Sequence, residues 1–156
     1  MSSASGARFA GAIAGALVAG LGITAMLLAG ERKSGQPSEL ADLERTGARQ
    51  LGLKSPAADA LPDAREQAIV QGGHLALSVI AGAAFAVAVD EDAAVVPSGI
   101  GFGLAFYAVA HWIAGPLLGL KRPEWKSDGK TIAMHTVNHV AFGFLTALGA
   151  RDASRI

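Results

Sequence analysis

The chain has 156 residues, and its 13 Lys/Arg balance 13 Asp/Glu, so there is no global field to draw nucleic acid. Only 17% of residues are charged against 51% apolar, with mean hydropathy +0.39, which points away from a soluble domain and toward the membrane. The lack of cysteine removes disulfides, thiol catalysis and thiolate metal sites.

Apolar residues gather into four runs of the roughly 17–25 residues a spanning helix needs, none containing Asp, Glu, Lys or Arg. The first covers residues 9–30. It is longer than the roughly 7–15 apolar residues of a signal-peptide core, and "LAGERK" is a poor cleavage site, so it is read as a retained helix. Gly11 and Gly15 are spaced small-xxx-small, with Gly20 on a neighbouring face, which marks helix 1 as a packing helix.

A polar loop follows at 31–67. Pro37-Ser38 starts a short helix with Leu40, Leu43, Gly47 and Leu51 along one side, an amphipathic segment suited to the membrane surface. "KSPAADALPD" is loop, and Pro62 suits the first turn of the next helix. The second span is 68–89, and the short acidic link Asp90-Glu91-Asp92 leads into the third, 95–120. Pro116 is expected to kink that helix and free the carbonyl of Trp112. "GIGFG" lies inside the span and follows no strand, so it is not a dinucleotide loop. Loop 121–130 carries Trp125 as an interfacial anchor, and the fourth span is 131–150.

The expected fold is one all-α domain over residues 1–156, a polytopic bundle of four transmembrane helices. "HLALSVIAG" at His74 and "HVAFGFLTALG" at His139 suggest two repeated hairpins. Loops 31–67 and 121–130 hold six and four basic residues, and the opposite side holds Arg8, Arg151 and Arg155. That imbalance places both loops in the cytoplasm and both termini outside.

All four histidines fall inside the spans: His74, His111, His135 and His139. At 1.5 Å per residue they lie about 7–14 Å from the same face, in one slab of the bilayer. Each belongs to the polar stripe of its helix: His74 with Gln71 and Ser78, His111 with Tyr107, His135 and His139 with Asn138. In lipid such stripes turn inward, so an intramembrane polar cluster of His74, Tyr107, His111, His135, Asn138 and His139 is expected.

Three readings of it stand open. Neutral histidines can hold the bundle in register. They can bind protons, although no Asp or Glu in a span completes a relay. Or His111, His135, His139 and His74 can ligate a metal ion or haem, His135 and His139 having the i, i+4 spacing that lets two imidazoles share an ion. No "HExxH" supplies a metalloprotease base.

"HWIAGPLLGLKRPEW" followed by "HTVNHVAFG" resembles the YagU-like family of uncharacterised bacterial inner-membrane proteins. The residues that carry the likeness are His111, Pro116, Leu117, Gly119, Leu120, Pro123, Glu124, Trp125, His139 and Phe142. They cover the last third of the chain; the first half is shorter and richer in Ala and Gly. The resemblance implies a bacterial inner-membrane location and brings no activity with it.

The expectation is therefore a small, non-enzymatic integral membrane protein whose centre is a structural or proton-linked histidine layer. No cofactor is required by this reading; the alternative is a metal- or haem-binding redox or transport subunit. Its partners are the lipid bilayer and a second copy or another membrane subunit, with no nucleic acid.

Overall fold

In the computed structural model, which describes residues 3–153, all regular structure is helical. Arg155, counted above on the outer side, lies outside the described residues.

Helix α1 (Ser3–Ser34) outruns its apolar stretch, because nothing in "ERKS" stops a helix. The stop comes at Gly35, whose φ of +68° gives the left-handed conformation that favours glycine, and whose N–H bonds the Glu31 carbonyl at 2.9 Å. Pro37 then prevents any restart before Ser38, which caps α2 (Glu39–Gln50) by accepting from the Ala41 N–H. Helix α3 (Ala64–Ala88) begins at its own cap. Asp63 Oδ1 accepts from the N–H groups of Arg65 and Glu66 at 2.9 and 2.8 Å, four residues before the apolar run.

The third apolar stretch is not one regular helix. Helix α4 (Val95–Tyr107) widens into a π-helical segment (Ala108–Ala114) and closes with the single turn α5 (Gly115–Leu117). Pro116 has no N–H to give the Trp112 carbonyl, so the regular ladder cannot pass it, and the strain is taken up as π turns rather than a simple kink. A short 3-10 turn (Glu124–Lys126) and the Asp128 side chain, which accepts from the N–H groups of Lys130 and Thr131, precede α6 (Gly129–Ala153).

Three of these helical stretches are long and apolar enough to cross a membrane: 5–34, Ala64–Ala88 and Val95–Leu117. Helix α6 has the length but not the apolarity, because Thr131, His135, Asn138 and His139 lie in its first half.

Packing is set by glycine. The α1–α6 contact is closest at Gly11, Gly15 and Gly149, where a methyl on either α1 glycine would overlap a carbonyl oxygen, of Gly149 or Leu145. Gly20 faces the Ser78 hydroxyl of α3, and Gly103 meets the His139 carbonyl of α6 in the same way. Backbones this near give the dispersion contact that holds helices together where water supplies no drive. Helices α3 and α4 touch through a T-shaped pair, Phe85 and Phe102, with centroids 5.2 Å apart. Buried hydroxyls satisfy themselves within their helices, Ser78 on the His74 carbonyl and Thr146 on that of Phe142. Arg8, almost fully buried, donates to the Ala86 carbonyl in the last turn of α3 and to that of Val89 just beyond it, both at 2.6 Å.

Helix α2 lies against the other end of α3. Its buried face is Ala41 and Arg45 rather than the leucine stripe; Leu40 and Leu43 are half-buried and Leu51 is exposed. Arg45, 1% exposed, places its guanidinium on the Glu66 carboxylate at 2.6 and 3.1 Å and on the carbonyls of Ala57, Ala58 and Ala60. One side chain thus gathers the 51–63 loop around α2.

Candidate functional site

The site is built by the punctuation of "GPLLGLKRPEW". After α5 the chain turns back in a Schellman motif: Gly119 has φ +67°, its N–H bonds the Pro116 carbonyl, and that of Leu120 bonds Gly115. Pro123 then forces the next turn. The two reversals aim Lys121 and Glu124 into the bundle, where the widened π turn presents His111. Gly115 leaves room for the lysine stem, since a methyl there would stand 2.7 Å from Lys121 Cγ.

Two carboxylates, two imidazoles, one ammonium and the Tyr107 hydroxyl meet at this point. Glu124 is fully buried. Its Oε1 accepts from the Tyr107 hydroxyl at 2.9 Å and from His135 Nδ1 at 2.6 Å, and its Oε2 from Lys121 Nζ at 2.8 Å. Lys121 Nζ also donates to Glu39 Oε1 and to His111 Nδ1, the latter at 2.8 Å. Glu39 Oε2 faces His135 Nε2 at 2.9 Å. His111 Nδ1 stands 3.6 Å from Glu124 Oε2.

The partners assign the protons. Lys121 spends its three N–H bonds on Glu39, Glu124 and His111, so His111 Nδ1 is an acceptor and that ring is neutral. His135 has a carboxylate oxygen on each ring nitrogen; two ionised carboxylates only accept, so the ring donates twice and is imidazolium. Two carboxylates, one ammonium and one imidazolium sum to zero, which is the condition for burying such a group of charges.

Burial alone would raise the Glu39 carboxyl, but hydrogen bonds and charge from His135 and Lys121 together outweigh it and hold it at about 2. Glu124 behaves alike: burial raises it, and Lys121, His135 and Tyr107 bring it down to about 2. Burial works to lower the Lys121 ammonium, and Glu124 and Glu39 reverse the sign and raise it.

Of the residues singled out in the sequence, Tyr107, His111, His135 and His139 come together. The His111 ring lies 4.5 Å from that of His135 and 4.9 Å from that of His139, and Tyr107 stands 5.1 Å from His139. His139 Nδ1 donates to the His135 carbonyl at 2.8 Å, which fixes its tautomer. Asn138 is half-buried and takes no part in the network.

His74 is elsewhere, between α3 and α1. Its Nδ1 stands 3.1 Å from Thr24 Oγ1, which donates to Gln71 Oε1; Gln71 donates to Gln67, and Gln67 to Glu31. The five residues make a hydrogen-bond chain running one way, from the imidazole to a carboxylate at the helix end.

Sequence reasoning missed Glu39, Lys121 and Glu124, because charged residues outside an apolar run read as solvated loop. The signal that finds two of them is Pro116, Gly119 and Pro123 at spacings that fold the loop back. Among the described residues every buried side-chain nitrogen and oxygen has a hydrogen-bond partner.

Three helices long and apolar enough to cross a membrane are the features of a multi-pass membrane protein. Comparison with protein-family models, with curated proteins and with solved structures gives no match.

Proposed function

We propose that the chain is a small, non-enzymatic protein of the bacterial inner membrane that crosses it four times, through α1, α3, the α4–α5 stretch and α6. Its centre of Glu39, His111, Lys121, Glu124 and His135 lies at the cytoplasmic boundary and fastens α2 and the 118–128 turn to the bundle. One observation carries this reading: the groups come from a surface helix, a loop and two long helices, yet each finds its hydrogen-bond or charge partner among the others.

The fourth crossing is supported by the way α6 divides its residues. His135 and Thr146 are buried, whereas Met134, Val137 and Phe144 are exposed on the outside, as lipid requires. The packing of α1 on α3 and of α4 on α6 supports reading the bundle as two repeated hairpins. The run behind the YagU-like resemblance, from His111 to Trp125, also supplies His111, Lys121 and Glu124 to the centre. The basic loops, 31–67 and 121–130, flank this centre, and by the positive-inside rule that end faces the cytoplasm with both termini outside.

Lys54→Cys and Asp92→Cys, both at exposed positions, test the arrangement with a membrane-impermeant thiol reagent on intact cells. The proposal expects labelling at 92 alone before lysis and at both positions after it. Labelling at 54 alone in intact cells would reverse the orientation.

A further inference from the structure

We infer that Glu39, His111, Glu124 and His135 form a site for one divalent first-row transition-metal ion, and that the Lys121 ammonium competes with the ion for it. The inference rests on reading this centre as the working part of the protein, and not on its orientation in the membrane. Each of the four residues offers one ligand atom, and these atoms all lie within 4.8 Å of one another. Ligands about 2.0–2.2 Å from a tetrahedral ion are about 3.4 Å apart, so the set has to draw in by an ångström or so. The side able to move is Glu39, whose side chain is 40% exposed on a short surface helix.

The donor set selects the ion class. Two imidazoles disfavour calcium and magnesium, and without a thiolate or thioether the set does not suit copper(I), which leaves the divalent first-row ions from manganese(II) to zinc(II). The supporting contacts are those of a metal centre: Tyr107 donates to Glu124 Oε1 at 2.9 Å and holds the carboxylate in place. A haem needs a slot between its two axial rings, and rings 4.5 Å apart with a lysine head beside them leave none.

Charge makes the exchange possible. An ion of charge +2 replaces the Lys121 ammonium and one ring proton of His135, which passes to water when that nitrogen becomes a ligand. Two positive charges leave and two arrive, so the buried centre stays neutral throughout. The Lys121 head is 10% exposed and lies against Glu39, so the route by which it swings out to water is short.

The test uses the full chain in detergent, purified without a polyhistidine tag, stripped with chelator and titrated with Zn2+ and with Co2+. The expected result is one ion per chain, with visible Co2+ absorption bands of a four- or five-coordinate N/O site. His111→Ala and Glu124→Gln should each weaken Zn2+ binding at least about tenfold. Lys121→Met, which removes the competitor, should tighten it by about tenfold or more. Should Glu124→Gln fail to fold, His111→Ala and Lys121→Met still decide. Helical, monodisperse wild type and Lys121→Met that both take up no stoichiometric Zn2+ would overturn the inference. So would binding that His111→Ala leaves unchanged, which means adventitious metal only. In either case the fastening role is judged separately, by the energetic coupling of Lys121 and Glu124.

Discussion

Lys121 and Glu124 show how a loop residue becomes an interior one. Each is charged, each follows the apolar run, and each is drawn back by glycine and proline placed for the purpose. Gly115 is the tightest point of that path, so Gly115→Ala should crowd the lysine stem and lower stability by about 1–3 kcal/mol. Gly101→Ala, where nothing lies within 4 Å, should be neutral or slightly stabilising. Thermal unfolding of the two variants in detergent checks the contrast, and equal midpoints would contradict this account of the turn. The histidines were legible at this scale because imidazole in an apolar run stands out. Glu39, Lys121 and Glu124 were not, because a charge outside such a run looks the same whether it points to water or inward. His74 shares depth and stripe with the others, yet neither property fixes which neighbour a stripe faces, and it faces α1.

At the scale of elements, small residues decide which helices meet. Gly15 of α1 abuts the Leu145 carbonyl of α6, so Gly15→Leu should part the helices and cost several kcal/mol, since neither backbone can yield. Val18→Leu, on the exposed side of the same helix, should cost less than about 0.5 kcal/mol. A thermal-shift assay separates the two, and similar losses would remove α1–α6 packing as the cause. The glycine spacing that marks this contact was visible in the sequence, as were three membrane-length apolar helices and the start of α2. The ends were less so. Helix α1 runs on through charged residues until Gly35, and α3 starts early at Asp63, because caps and not hydropathy set helix ends. The π-helical stretch was read only as a kink: Pro116 announces a break in the ladder but not how the preceding turns absorb it.

For the whole molecule, the apolar helices supply a scaffold and the polar centre ties its surface parts to it. Arg45 and Glu66 hold α2 to α3 at one point, and the Glu39–Lys121–Glu124–His135 network holds it to the 118–128 turn and α6 at another. If these charges act as one balanced unit, removing one partner strands its counter-charge, and Glu124→Gln alone should cost about 3–5 kcal/mol. Lys121→Met should also destabilise, by leaving Glu39 and Glu124 with one cation between them. The most direct test is the double-mutant cycle of these two substitutions, read as unfolding midpoints of metal-free protein in detergent. A single charge-balanced centre predicts that the double variant, again neutral, recovers a large part of the summed loss, with a coupling above about 1 kcal/mol. Strictly additive losses would mean that Lys121 and Glu124 are neighbours without being partners, and would contradict the account.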